Sequence, residues 1–294
     1  MYCTYFGFRV APFRNVPQAE SFYHGGQRGP ILEALMHGLD HGDGILKLIG
    51  ERGIGCTTLC QMILSRLAGR TACAYLPDPC LTPPQAMSAI AREFGVTGSS
   101  GDADPGARVQ AFLRAGMQAA RHVVILVDDA QSMPSATLDA IRLLSNLDTS
   151  SQKAARLVLA GTPELDTRLG RHELRQLRDR VTFSARLSPL SPEETSDYLA
   201  LRVRTAGSTA GSLFPIAVAR QIGRATGGLP RGINTAADRV LMCAFADDTR
   251  DIEMRHARRA LDELGLMPHS VFARLRQRLS LRTQLPSALP AGAR

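Results

Sequence analysis

The residues best suited to chemistry lie in a glycine-rich run, Gly50-Glu51-Arg52-Gly53-Ile54-Gly55-Cys56-Thr57-Thr58, between the apolar stretch ILKLI and an amphipathic segment. Glycines at 50, 53 and 55 let the backbone bend its N–H groups round a phosphate, and the N-terminal end of a following helix adds positive potential. Thr57 offers a hydroxyl to a magnesium ion. The pattern G-x-x-x-x-G-K-[ST] has lysine where this chain has Cys56. A charge-assisted hydrogen bond to phosphate contributes about 1.5–3 kcal/mol, so its loss predicts ATP affinity roughly ten- to a hundredfold lower. Hydrolysis is affected more, because the lysine also stabilises charge on the transferring phosphoryl group. A thiol at a helix N-terminus is expected to have a lowered pKa, and a thiolate there would repel phosphate. Three readings stay open: Arg52 swings in as a substitute cation, the loop binds nucleotide weakly with little or no turnover, or it is a turn that binds nothing.

Further along, His122-Val123-Val124-Ile125-Leu126-Val127-Asp128-Asp129 reads as a buried strand ending in two carboxylates. Beside a phosphate loop, Asp128 would hold the magnesium shell and Asp129 would polarise the attacking water; the alternative is a pair of aspartates capping the next helix. Asp129 is one methylene shorter than the glutamate usual for that base. The run Leu157–Ala160 leads into Gly161-Thr162-Pro163-Glu164-Leu165, which puts Thr162 at a strand tip. Its hydroxyl would read a terminal phosphate, cap a helix starting at Pro163, or do both.

These residues need a scaffold, and the patterning supplies one. Short apolar runs at Ile45–Ile49, Ala72–Leu76, Val123–Val127, Leu157–Ala160 and Val181–Leu187 alternate with helical patterns, the signature of a parallel sheet wrapped by helices. Thr82-Pro83-Pro84-Gln85 and Ser191-Pro192-Glu193-Glu194 are helix-start signals with a hydroxyl cap and a side-chain acceptor three residues on. Residues 98–106 read as a polar surface loop. After the last strand only helices are expected, near Ser191, Pro215–Ala225, Gly232–Ala246 and Glu253–Leu264. A short basic helix carrying Arg274, Arg276, Arg278 and Arg282 and a proline-containing tail follow. The expected organisation is an N-terminal segment at 1–43, an α/β core at 44–188, a helical unit at 189–266 and a basic end at 267–294.

Composition narrows the setting. The net charge is +8, and Lys47 and Lys153 are the only lysines, so arginine carries nearly all the positive charge. Residues 251–294 hold eight arginines against four acidic residues. Such a balance favours an acidic partner, DNA or an anionic membrane surface. The six cysteines form no C-x-x-C pair or zinc-spaced array and read as small buried hydrophobes in a reducing compartment. No secretory signal and no apolar run of spanning length is visible. A soluble, cytoplasmic protein is expected, with the inner-membrane surface within reach of its basic end.

A larger set of residues joins these. Tyr5-Phe6-Gly7-Phe8 with Pro12-Phe13, Asp128-Asp129-Ala130-Gln131, Gly161-Thr162-Pro163-Glu164-Leu165, Leu190-Ser191-Pro192-Glu193-Glu194-Thr195 and Gly228-Leu229-Pro230-Arg231-Gly232-Ile233-Asn234 together resemble the ExeA/GspA-type AAA+ ATPases. That group includes secretion-pathway and pilus-biogenesis ATPases and transposition helpers. The resemblance runs from Tyr5 to about Gly265; the family has D-E-A-Q around Asp129 and G-Q-P-E-L around Thr162. It implies a P-loop NTPase αβα sandwich with a parallel sheet followed by a helical lid, ATP and magnesium in the cleft between them, and Arg231 reaching the phosphates from the lid. It also implies homo-oligomers in which Arg178 or Arg180 completes a neighbour's site. Cys56 and Asp129 are departures that bear on turnover and leave the fold untouched.

The function expected is ATP binding with weak or absent hydrolysis, in an oligomeric switch or assembly factor of a secretion, pilus or export system. A nucleotide-blind pseudo-ATPase adaptor and a DNA-binding transposition-type partner are the alternatives. The secretion member of the family carries a membrane span and a wall-binding domain after its ATPase region; this sequence stops at Arg294 with neither, so it resembles the short soluble members.

Overall fold

A computed structural model describes residues 2–17, 19–42, 44–96, 98, 104–118, 123–149, 152–153, 155–208 and 213–267. A single turn, α1 (Tyr2–Tyr5), precedes α2 (Arg28–His41), β1 (Ile45–Ile49), α3 (Cys56–Leu67), β2 (Ala72–Leu76), α4 (Pro83–Glu93) and α5 (Pro105–Gln118). Then come β3 (Val123–Val127), α6 (Ser135–Leu144), the short strands β4 (Asp148–Thr149) and β5 (Gln152–Lys153), and β6 (Ala155–Gly161). After α7 (Glu164–Leu169), α8 (Arg175–Arg178) and β7 (Val181–Arg186), only helices remain: α9 (Pro192–Thr205), α10 (Ile216–Ala225), α11 (Pro230–Ala246) and α12 (Met254–Glu263).

Five strands pair in parallel in the order β2-β3-β6-β1-β7. The central strands are mostly apolar on both faces because both are covered; all five residues of β3 are buried, and Lys47 in β1 and Arg156 in β6 are the charged exceptions. Alternate side chains feed two cores. Ile45, Ile49, Ile125, Val127, Leu157 and Leu159 pack with residues of α4 to α8. Leu46, Leu48, Val124, Leu126, Val158 and Ala160 pack with residues of α2 and α3. The order puts the C-terminal ends of β3, β6 and β1 side by side, so the acid pair, Thr162 and the glycine-rich loop leave the sheet at one edge.

A third core joins α9 to α12 and takes in Phe8 and Phe13. The N-terminal aromatic residues therefore pack on the helical unit and not on the sheet: Phe13 meets Phe214 edge-on at 5.6 Å and Tyr5 meets Phe245 at 5.2 Å. The helix starts form as local chemistry dictates. Ser191 N–H donates to Glu194 Oε2 at 2.7 Å and Glu194 N–H to Ser191 Oγ at 3.1 Å, with Pro192 in the first turn; such a cap contributes about 1 kcal/mol.

Some expectations shift. The antiparallel pair β4/β5 falls in a polar stretch with no readable period. The segment expected as a loop to residue 106 yields to α5 at Pro105, where proline's fixed φ suits a first helical position. The basic helix expected beyond Pro268 lies outside the described residues. Among the described residues no helix is long and apolar enough to cross a membrane.

Candidate functional site

A cleft of about 490 Å³ opens between the strand ends and the helical unit, within the size range of small-molecule sites. Its floor is the glycine-rich loop. Gly50 N–H donates to Gly161 O at 3.0 Å, tying the loop to the tip of β6. Gly53 and Gly55 take φ +83° and +111°, left-handed values that a side chain would strain. Arg52 is exposed at the turn, while Thr57 and Thr58 open α3 beside the cleft.

Cys56 is the first residue of α3 and its sulfur points under the loop, 2.9 Å from where a Cβ on Gly50 would lie. Burial, followed by the charges of Asp128 and Asp129, pushes its thiol up to about 12. This corrects the expectation of a lowered pKa: desolvation and two facing carboxylates outweigh the helix terminus. Position 56 therefore presents a neutral group that neither repels phosphate nor attracts it. The other cysteines are all free; Cys60 and Cys243 are buried as expected of small hydrophobes, but Cys80 is exposed.

Asp128 is buried, and both its oxygens are engaged. Oδ1 accepts the Asp129 N–H at 3.0 Å and Oδ2 accepts the Tyr75 hydroxyl from β2 at 3.0 Å. Burial, then Asp128 itself, raises the Tyr75 pKa, so the phenol remains a donor. Asp129 adopts a left-handed backbone, φ 48° and ψ 37°, and its side chain caps no helix, which removes the capping alternative. Its Oδ1 accepts Gln131 Nε2 at 3.2 Å, and Gln131 Oε1 accepts the Thr162 N–H at 3.0 Å. One glutamine thus links the second carboxylate to the tip of β6. Gly161 makes room for it, since a Cβ there would fall 2.5 Å from Gln131 Oε1. Arg168 holds the Gln131 and Met133 carbonyls from α7.

Thr162 is buried at the cleft, and its hydroxyl completes no hydrogen bond. Its polar neighbour is the exposed Glu164 carboxyl, held below its usual range first by hydrogen bonding from the Thr162 side chain, then by the Glu164 backbone and by Arg52; no bond as short as 3.5 Å forms, and Thr162 does not cap α7. A buried hydroxyl left open at a cleft wall is available to a ligand.

The opposite wall is the helical unit. Arg231 N–H donates to Gly53 O at 3.1 Å, and the Arg231 Cβ covers Gly53 so closely that a Cβ there would approach it to 2.8 Å. The Arg231 guanidinium is exposed and makes no ion pair among the described residues. Arg178 and Arg180 do not line this cleft: Arg178 is exposed, 3.3 Å from Asp179, and Arg180 follows it before β7. Of the residues expected at the site, Gly50, Arg52, Gly53, Ile54, Gly55, Cys56, Thr57, Thr58, Asp128, Asp129, Thr162 and Arg231 line this one cleft, and those two arginines do not.

Several cleft residues carry no motif. Arg28, Gln131 and the group Asn15, Tyr198, Arg202 and Asn234 line the cleft without having been singled out in the sequence as site residues, and Tyr75 stands behind Asp128 outside that lining; only Gln131 and Asn234 sat within recognisable segments. An arginine opening a helix reads as a solvated charge, and burial through contacts distant in sequence leaves no local signal.

The AAA domain family matches this chain over residues 39–169. General secretion pathway protein A of Aeromonas hydrophila is 35% identical over 257 residues, which is 86% of this chain. Both matches support an ExeA/GspA-type AAA+ ATPase assignment for this chain. It spans 46% of that relative's length. Solved structures of the same fold include the Aeropyrum pernix ORC2 protein, with TM-score 0.67 and 17% identity over 87% of this chain and 72% of that one. Cdc6p from Pyrobaculum aerophilum has TM-score 0.68 and 16% identity over 94% and 74%, and the Thermotoga maritima RuvB Holliday junction branch migration motor has TM-score 0.54 and 16% identity over 81% and 70%. At these identities the structures speak for the fold alone.

As an AAA+ P-loop chain it has a fold built to bind nucleotide, and the residues fit a nucleotide with magnesium. The loop presents its glycines, the Thr162 hydroxyl is open, and Thr57 and Asp128 border the same space.

Proposed function

We propose that this chain binds ATP with magnesium in the cleft, hydrolyses it weakly or not at all, and uses occupancy as an oligomeric switch or assembly factor. The observation that carries this is the Arg231 N–H bond to Gly53 O. It fastens the lid to the loop itself, so a phosphate that reorders the loop backbone acts directly on α11.

In this reading Gly50, Gly53, Ile54, Gly55, Thr57 and Thr58 cradle the phosphates, with Arg52 and Arg231 adding exposed charge. Thr57 and Asp128 would hold the magnesium, which supplies charge neutralisation at the phosphates. Asp129 orients water, and Thr162 donates to the terminal phosphate. Asp129 is short for its role and already shares its carboxylate with Gln131, and Cys56 brings no charge; both features favour occupancy over turnover. Arg178 or Arg180, outside the chain's own cleft, would serve a neighbouring subunit. The name of the Aeromonas hydrophila relative points to a secretion system as the setting, with pilus and export machines as close variants and the cytoplasmic face of the inner membrane as the place.

Calorimetry with ATP, with and without magnesium, on the native chain and on Cys56→Lys tests this. Micromolar binding by the native chain, tightened in the variant, is expected. If only the variant binds, the native chain is a pseudo-ATPase adaptor working through its surfaces.

A further inference from the structure

The cleft holds a cation that no motif announces. Arg28 opens α2, is only 6% exposed, and lines the cleft beside the loop. Its Nη2 donates to Ile54 O and to Ser188 O, both at 3.3 Å, and the guanidinium makes no other hydrogen bond among the described residues. No carboxylate pairs with it there. Glu194 acts on it only from a distance, with Oε2 engaged by the Ser191 N–H. Burial consequently lowers the Arg28 pKa, and the Cys56 thiol feels its charge.

Buried cations in folded proteins are paired, because removing a charge from water without a counter-ion is costly. Two long bonds to neutral carbonyls do not discharge that cost. Arg52 and Arg231 are exposed, so water screens them and they need no partner. Arg28 differs from both: it is desolvated, its bonding capacity is incomplete, and it touches the carbonyl two residues before the missing lysine. A charge in such a setting acts more strongly on an anion than an exposed one does.

We propose that Arg28 is the phosphate-binding cation of this cleft, supplying from α2 the positive charge that Cys56 does not. Resting on the ATP-binding reading above, the assignment explains how that reading survives the loss of the loop lysine. The anion it takes is the phosphate chain of a nucleotide; the nucleoside portion gains nothing from it.

Calorimetry on the full chain with ATP, ADP and adenosine, each with magnesium, separates the possibilities for the native protein, Arg28→Gln and Arg28→Lys. Arg28→Gln is expected to weaken ATP and ADP roughly ten- to a hundredfold and to leave adenosine within about twofold, while Arg28→Lys keeps most of the ATP affinity. Equal losses for ATP and adenosine in Arg28→Gln would reduce Arg28 to a brace of the loop and overturn the assignment, as would unchanged ATP affinity. If thermal melting shows Arg28→Gln unfolded, Arg28→Lys decides: a retained preference for ATP over adenosine supports the assignment, and its disappearance overturns it. A native chain that binds no nucleotide removes the ATP-binding reading and the assignment together. Native binding that survives Arg28→Gln removes the assignment alone.

Discussion

The two walls of the cleft are built on opposite principles. On the helical side every polar group at the centre has a partner. Arg202 donates to Pro12 O at 2.9 Å, Arg14 O at 2.8 Å and the Tyr198 hydroxyl at 3.1 Å; Tyr198 donates to Asn234 Oδ1 at 2.9 Å, and Asn234 Nδ2 to Asn15 Oδ1 at 3.1 Å. On the strand side, Thr162 has an open hydroxyl, Asp129 a left-handed backbone, and Arg28 a charge without a counter-ion. A satisfied buried network fixes one conformation, whereas open capacity and backbone strain collect where a ligand completes the structure. The centre of the helical wall is a fixed mount; the strand wall holds the open capacity.

The largest effect on stability is therefore expected on the wall whose central polar groups are all paired. Arg202→Ala leaves two backbone carbonyls unpaired and strips the Tyr198 hydroxyl of its donor, although that hydroxyl keeps its bond to Asn234, at about 1–3 kcal/mol for each carbonyl left unsatisfied. Urea unfolding should show a loss of roughly 3 kcal/mol or more, and residues 12–15 should come free of α9, detectable as new proteolytic cleavage there. A variant as stable as the native chain would mean that the network is ornamental and that the contrast between the walls fails.

Gly161→Ala attacks the strand wall through its packing. The new Cβ would meet Gln131 Oε1 at 2.5 Å, so Gln131 must leave the Thr162 N–H and the Asp129 carboxylate. Overpacking of this kind costs about 1–3 kcal/mol, less than the Arg202 change, but nucleotide turnover or affinity should fall together with stability. Truncating the clashing partner in Gly161→Ala/Gln131→Ala should recover the stability without the activity; recovery of both would remove Gln131 from the site.

What the sequence revealed divides along the same line. The bounds of β1, β2 and β3 were readable because mostly apolar runs of five residues, too short for a helix and ended by turn signals, fit strands of a covered sheet. The capping boxes at Thr82 and Ser191 were readable because all their atoms lie within four residues. The loop, the acid pair and Thr162 were readable because their spacing is itself the motif. Arg28, Tyr75 and Gln131 were not, since each gains its role from partners 26 to 53 residues away in sequence. The pKa of Cys56 was misjudged for the same reason: the helix terminus is local, whereas the burial and the carboxylates that overrule it are not.

That correction yields a smaller, pH-dependent effect. The folded-state pKa of Cys56 is raised to about 12 from the ordinary thiol value of 9.0, so the folded chain holds the proton more tightly than the unfolded chain does. Its stabilising contribution is complete below pH 9 and is lost as pH rises toward 12, about 1.4 kcal/mol per pH unit inside that window. Between pH 8 and pH 10, Cys56→Ala should lose roughly 1 kcal/mol less stability than the native chain in urea titrations. Parallel losses would place the thiol in water and return it to the lowered-pKa expectation.

The smallest effect on stability should come from Thr162→Val, and for that reason it discriminates best between the walls. Valine keeps the shape of threonine and removes a hydroxyl with no bond as short as 3.5 Å, whose polar neighbour, the Glu164 carboxylate, is exposed and turns to water. Replacing an unsatisfied buried polar group by an apolar one of the same shape is neutral or slightly stabilising, within about 0.5 kcal/mol. If the hydroxyl is held open for a terminal phosphate, the variant should lose the difference in affinity between ATP and ADP while keeping its ADP affinity and its melting temperature. A variant that is clearly destabilised would show that the Thr162 hydroxyl already has a structural partner, and the strand wall would then be as closed as the helical one.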